Sequence, residues 1–271
     1  MPIELEPTGE RLIEEHYCDS PAGYAIYIMH AASYVFAETF CKGKRVLDFG
    51  CGSGYGSAKL AEVAAEVFAV DVSTDAIDYA RDHYSRPNLH FEAIEGNGRL
   101  PLPGNTMDVV TSFQVIEHVS DTSNYLAEVA RVLTKDGIFI LITPDRRSRL
   151  FPYQKPWNRW HLKEYDPDSL RRLITDRFDI REILAMGAPP HISKIETDRY
   201  RLLKWITLPF TFPGLPEAWR IFGLNLLHRL RASPKPAVTG KYIPDFSHED
   251  ILIQPQVSQP LNIIIVSMPR P

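Results

Sequence analysis

Cysteine is scarce in this 271-residue sequence: Cys18, Cys41 and Cys51 are the whole complement. None falls in C-x-x-C spacing, so neither a disulfide framework nor a cysteine zinc site is on offer. No apolar run reaches the roughly eighteen residues that a membrane-spanning helix requires. The first residues also lack the basic-then-apolar pattern of a secretory leader. These two absences predict a cytoplasmic protein. A positive charge excess is missing as well. Lys and Arg number 30 against 34 Asp and Glu, a formal net charge of −4, which argues against a surface dedicated to nucleic acid. Internal repeats and low-complexity tracts are absent. What remains is an ordinary globular composition, on a chain long enough for one sizeable core with an accessory element, or for two small domains.

Glycine is not abundant, yet four of the 15 glycines fall within seven residues, at Gly50, Gly52, Gly54 and Gly56. They follow the apolar run Val46-Leu47 and Asp48-Phe49, and precede Ser57-Ala58-Lys59-Leu60-Ala61. This is a buried strand, a tight turn and a helix start. Glycines let a backbone approach a ligand closely, and a helix N-terminus presents unpaired N–H groups. A nucleotide-like cofactor is the first expectation. The dinucleotide fingerprint G-x-G-x-x-G fits poorly, because the frame from Gly50 puts Tyr55 at the third glycine and the frame from Gly52 puts Ser57 there. Asp48 decides the sign of the ligand. A carboxylate at the strand end gains nothing from a pyrophosphate but gains from a cation.

A second acid, Asp71, closes the apolar run Val67-Phe68-Ala69-Val70. An acid about twenty residues past a glycine turn can accept both hydroxyls of a ribose. The alternative is a helix-capping role, which Ser73 or Asp75 could fill just as well. Further along come Gly96-Asn97-Gly98-Arg99-Leu100-Pro101-Leu102-Pro103, then the strand-like Met107 to Phe113, then Gln114-Val115-Ile116-Glu117-His118-Val119. Apolar residues at helical spacing follow from Tyr125 to Leu133. Lys135-Asp136-Gly137 reads as a glycine stop to that helix, and Ile138 to Ile142 as a fifth buried strand.

The D-x-G-x-G-x-G order, the acid at Asp71, the L-P-x-P stretch and the E-H-V segment together resemble class I S-adenosylmethionine-dependent methyltransferases. The resemblance covers about half the chain. It is similar to the type 11 and ubiquinone-type O-methyltransferases, and Thr8-Gly9-Glu10-Arg11 adds a likeness to enzymes of bacterial surface-polysaccharide assembly. The resemblance implies S-adenosyl-L-methionine as cofactor and S-adenosyl-L-homocysteine as product. It assigns Asp48, Gly50, Cys51, Gly52 and Gly54 to the methionine end, Asp71 and Val72 to the ribose, Asn97 and Gly98 to the adenine, and Gln114 to the sulfonium side. Asn97 stands where the family has Asp, and its amide oxygen can still accept from the adenine amino group.

The expected fold is α/β: a doubly wound, Rossmann-like, seven-stranded and mostly parallel sheet with an antiparallel last strand. Residues 1–43 form a helical lead-in. Residues 44–185 and 255–271 form the α/β domain, and residues 186–254 a helical cap inserted between the last two strands. From Arg199 to Lys235 this insertion carries seven basic residues against Glu217 alone, interleaved with Trp205, Phe210, Phe212, Trp219 and Phe222. Two readings stand beside each other: a cap over the substrate cleft, and an interfacial surface touching anionic lipid or a lipid-linked substrate. Pro209, Pro213 and Pro216 are expected to break any long helix there.

Two histidines are candidates for catalysis. His118 follows the fourth strand, at the sheet end where ligands bind in open α/β folds. His161 lies in His161-Leu162-Lys163-Glu164-Tyr165, similar to a family segment after the fifth strand. Each has a structural alternative as a loop-holding residue. His16 and His30 sit in the lead-in, and no histidine pairing at ligand spacing supports a metal. The expected reaction is methyl transfer, at oxygen, to a small-molecule or lipid-linked acceptor, without nucleic acid as partner. An NAD(P)-dependent oxidoreductase and a non-catalytic cofactor-binding protein are the alternatives.

Overall fold

The computed structural model describes residues 20–96, 99–231 and 245–270. The expectations for Thr8 to Arg11, His16, Cys18, Asn97, Gly98 and Lys235 lie outside those residues.

The lead-in is one long helix, α1 (Pro21–Cys41), started by Ser20, whose side chain accepts from the Gly23 N–H, and by Pro21 at its first position. Then strand and helix alternate: β1 (Arg45–Phe49), α2 (Tyr55–Leu60), β2 (Glu66–Asp71), α3 (Thr74–His83), β3 (Leu89–Ala93) and β4 (Met107–Phe113). A 3-10 turn, Ile116–His118, leads to α4 (Thr122–Val132), β5 (Leu133–Pro144), a short α5 (Arg146–Arg149), α6 (Pro167–Ile174) and β6 (Phe178–Gly187). The helices α7 (Pro190–Thr211) and α8 (Glu217–Arg231) form a hairpin, and β7 (Leu252–Gln254) and β8 (Asn262–Pro269) close the fold.

The sheet runs β3-β2-β1-β4-β5-β8-β6-β7, parallel through β5 and antiparallel beyond it. Its apolar strands bury both faces, and the pleat sends successive residues to opposite sides. Val46, Val67, Val109 and Ile140 join the core beneath α1, α2 and α3, whereas Leu47, Val70, Val110 and Leu141 join the core beneath α4 and α6. Leu47 is wholly buried; truncating such a side chain to alanine costs about 2–5 kcal/mol.

Three expectations change. The sheet has eight strands rather than seven, because Leu252–Gln254, assigned to the insertion, pairs with β6 as an edge strand. Lys135-Asp136-Gly137 is part of β5, not a helix stop. The helix ends at Val132, and Leu133 turns at once into extended backbone. Gly137 serves close approach: a Cβ there would stand 2.8 Å from Leu133 Cδ2 and 2.9 Å from the Thr134 carbonyl oxygen. Finally, Pro209 sits inside α7 without ending it. The helix stops at Thr211, and Phe212, ahead of Pro213, is driven to extended backbone.

Candidate active site

The strand order reverses between β1 and β4, and ligands of open α/β sheets bind beyond the strand ends at such a switch. The glycine turn lies there. Gly50, Gly52 and Gly54 all take positive φ, at 88°, 55° and 84°. At Gly52 a Cβ would meet nothing within 4 Å, so its open side belongs to the adjoining cavity of about 370 Å³. Gly50, Cys51, Gly52, Asp71, Val72, Gln114 and His118 all line that cavity. Gly54 begins α2 instead, and Asp48 is set behind the turn.

The two acids have distinct work. Asp71 accepts from the Gly52 N–H with Oδ2 and from the Ser73 N–H with Oδ1, both at 2.9 Å, so it fixes the turn from the next strand end. The capping alternative falls to Ser73, whose hydroxyl accepts from Ala76 N–H at 3.2 Å. Asp48 is buried and accepts from the hydroxyls of Ser57 (2.6 Å), Thr111 (3.0 Å) and Tyr34 (3.2 Å). Burial pushes its carboxyl up to about 6, with the three hydroxyls pulling the other way.

A second cavity, also about 370 Å³, shares Gln114, His30 and Trp160 with the first. Its floor is the sheet end with Asn262 and its roof the α7–α8 hairpin. Gln114 takes φ of 58°, unusual for a side chain with a Cβ, and donates through Nε2 to Asn262 Oδ1 at 3.4 Å. Burial lowers His30 to about 4, so it is neutral near pH 7.

Along the second cavity, whose lining includes Arg149 and His161, the fold assembles a charge chain. His161 Nδ1 lies 2.8 Å from Glu164 Oε1, and Arg149 Nε donates to Glu164 Oε2 at 3.0 Å. Burial works against the Glu164 carboxylate, but Arg149 and the His161 hydrogen bond outweigh it and hold it at about 2. A carboxylate only accepts, so His161 carries a proton on Nδ1. His118 is oriented alike, with Nδ1 3.1 Å from the Trp160 carbonyl oxygen, and its ring meets His161 edge-on at 4.8 Å. Glu117 lies beneath them, wholly buried. It accepts from Thr143 through Oε2 at 2.9 Å, its Oε1 has no hydrogen-bond partner, and burial raises its pKa.

Among the described residues, donor atoms of Glu117, His118 and His161 lie within 4.8 Å of one another, a group that could hold a metal ion. Donors around a tetrahedral divalent ion stand about 3.4 Å apart, and the trio would have to contract to grip one.

The arginines of the insertion are not all outward. Arg220 is buried, and its guanidinium donates to the carbonyls of Pro156 (2.8 Å), Asn158 (3.1 Å) and His161 (3.3 Å), which clamps the histidine loop to α8. Arg199 pairs with buried Glu196. Arg149, Glu196 and Arg220 are not marked by their local sequence as site residues, and Glu164 is marked only as part of the His161 segment. Only the fold joins them.

The chain matches the family described as "Methyltransferase domain" over residues 47–141. A Mycolicibacterium smegmatis protein named a probable S-adenosylmethionine-dependent methyltransferase is 33% identical over 192 residues, 69% of this chain and 70% of that one. A Schizosaccharomyces pombe mitochondrial ubiquinone biosynthesis O-methyltransferase is 37% identical over a shorter span, 41% of this chain and 42% of that one. In fold, an S-adenosylmethionine-dependent methyltransferase from Mesorhizobium loti superimposes with a TM-score of 0.54 at 14% identity, covering 90% of this chain and all of that one. The chain belongs to the class I S-adenosylmethionine-dependent methyltransferases. Its cofactor is therefore S-adenosylmethionine, and the oxidoreductase alternative lapses.

Proposed function

We propose that this enzyme methylates an oxygen of a small or lipid-linked acceptor held in the second cavity. The observation that carries this reading is the shared wall of Gln114, His30 and Trp160, through which two cavities of similar size adjoin. The residues of the first cavity suit the cofactor: a turn open at Gly52, one acid, Asp71, and no Lys or Arg among the lining residues, and apolar Ile94 and Val115 beyond Asp71. When bound, the cofactor supplies a methyl group already activated by its sulfonium charge. Asp71 holds the ribose hydroxyls, and the Asp48 charge behind the turn favours the ammonium end. Asn97 and Gly98 are proposed for the adenine.

The protein's own task is alignment, exclusion of water and removal of the acceptor proton. His161 takes that proton on Nε2. Glu164, pinned by Arg149, holds the ring in the required tautomer and steadies the imidazolium that forms. His118 supports it across the ring contact. The test is methyl transfer with a panel of phenolic, sugar and lipid-linked acceptors. Transfer to a nitrogen or carbon acceptor alone would overturn the oxygen assignment.

Peripheral membrane contact belongs to the same proposal. The hairpin leaves Trp205, Phe212, Trp219 and Phe222 more than half exposed. Residues 190–231 hold seven Lys and Arg against three Asp and Glu, on a chain of net −4. Such a surface suits anionic lipid. Among the described residues no helix is long and apolar enough to cross a membrane. Cosedimentation with vesicles containing anionic lipid, abolished by Trp205→Ser with Phe222→Ser, is the expected result. Binding unchanged by the double variant would defeat it.

A further inference from the structure

The second cavity contains a polar pair on α7 that the chemistry above does not use. Glu196 is 1% exposed, and Arg199 lies one turn further along. They pair through Glu196 Oε2 and Arg199 Nη2. The other edge of each is buried without a hydrogen-bond partner: Oε1 of Glu196 and Nε of Arg199. Both residues line the cavity, and buried polar atoms are rarely left in this state.

We infer that this pair recognises a hydroxyl-rich, uncharged head group of the sugar type on the acceptor. The inference rests on the methyl-transfer reading only in calling the ligand an acceptor. The chemistry of the pair narrows the choice. A carboxylate oxygen needs a donor and a guanidinium N–H needs an acceptor, and a hydroxyl is both. An anionic group would satisfy Arg199 but repel Glu196, and an ammonium would do the reverse. A phenol with one hydroxyl would use it at His161 and have nothing left for α7. A polyol can offer one hydroxyl to His161 and others to Glu196 and Arg199. Arg149 and Arg159 also line the cavity, but Arg149 is paired with Glu164 and Arg159 donates to Asn225. Trp157 and Trp160 give the cavity flat aromatic sides, and Leu203, Ile206, Leu224 and Leu227 roof it with an apolar lane under the hairpin. A neutral glycoside with an apolar tail fits both halves.

The experiment is calorimetric titration of the full chain saturated with S-adenosylhomocysteine, using hexyl glucoside, hexyl phosphate, hexylamine and 4-hexylphenol as probes. Hexyl glucoside is expected to bind at least about tenfold more tightly than the other three. Glu196→Leu should remove that preference while leaving S-adenosylhomocysteine affinity intact, and Arg199→Lys should weaken it in a protein that keeps its charge. If Glu196→Leu does not fold, Glu196→Gln and Arg199→Lys decide. Equal or tighter binding of hexyl phosphate, hexylamine or 4-hexylphenol overturns the inference, as does a glucoside affinity indifferent to these substitutions. Glucoside binding without methylation would leave the inference standing and count against the methyl-transfer reading of this cavity. Methylation of phenols with no glucoside binding would do the opposite.

Discussion

The two cavities are alike in volume and differ in how they are made. The first is built by backbone: a glycine turn, two strand ends and the N–H groups that Asp71 gathers. The second is built by side chains drawn from α1, the loops after β4 and β5, the hairpin and the first residue of β8. A backbone site is fixed once the sheet closes, whatever the surrounding side chains do. A side-chain site changes with each residue, and fold alone does not set what it accepts.

That contrast can be broken or sharpened by four substitutions. The largest effect is expected at His161. His161→Ala should lower kcat by about a hundred- to ten-thousandfold, as loss of a general base does, while calorimetry finds cofactor affinity unchanged. A large change in cofactor affinity would show that the two cavities are not separable. Next, Asp71→Ala should raise the cofactor dissociation constant roughly ten- to a hundredfold, for loss of charge-assisted hydrogen bonds. An unchanged constant would remove Asp71 from the ribose.

Arg220→Ala tests whether the hairpin governs the histidine loop. It should reduce kcat/KM about tenfold and leave the cofactor constant alone, because, apart from its pairing with Glu217 on the same helix, the lost bonds reach the loop at Pro156, Asn158 and His161. Activity equal to the parent would mean the loop holds itself.

The smallest effect is a pH dependence. The Asp48 carboxyl sits at about 6 in the unliganded fold, so it is charged above that pH and protonated below it. Its charge favours a cationic cofactor, so affinity should fall about three- to tenfold between pH 7.5 and pH 5. Asp48→Asn should flatten the profile. A flat profile in the parent would show that the charge behind the turn is not felt in the cavity.

Much of the first cavity was legible because its chemistry is local. Positive φ needs glycine, a buried strand needs an apolar run, and the acids follow directly at strand ends. Gly50, Gly52 and Asp71 could be named from such rules and Gln114 from the family resemblance, and all line one space. Asp48 was legible as a residue but not in its surroundings, since Tyr34, Ser57 and Thr111 reach it from three separate elements. The Arg149–Glu164–His161 chain was less accessible. His161 and Glu164 stand three residues apart in a recognisable segment, yet their alignment depends on an arginine fifteen residues earlier than Glu164. Arg199 and Arg220 looked like members of a basic, solvated or lipid-facing stripe, and Glu196 carried no signal at all, because a helix's inward side cannot be known before its partner is placed. The eighth strand escaped because Leu252–Gln254 is too short to show a period and is extended only by pairing with β6.

The position of β8 has a consequence for how the enzyme comes into being. β8 lies between β5 and β6, antiparallel to both, although it follows them in the chain by many residues. On the ribosome, β5 and β6 must therefore wait with open edges until residues 262–269 emerge, a state in which unpaired strands invite misassociation. The same insertion delivers Asn262 to Gln114. Completion of the sheet and completion of the wall between the two cavities are one event, so a nascent chain lacking its last strand would have the cofactor turn but no finished place for an acceptor.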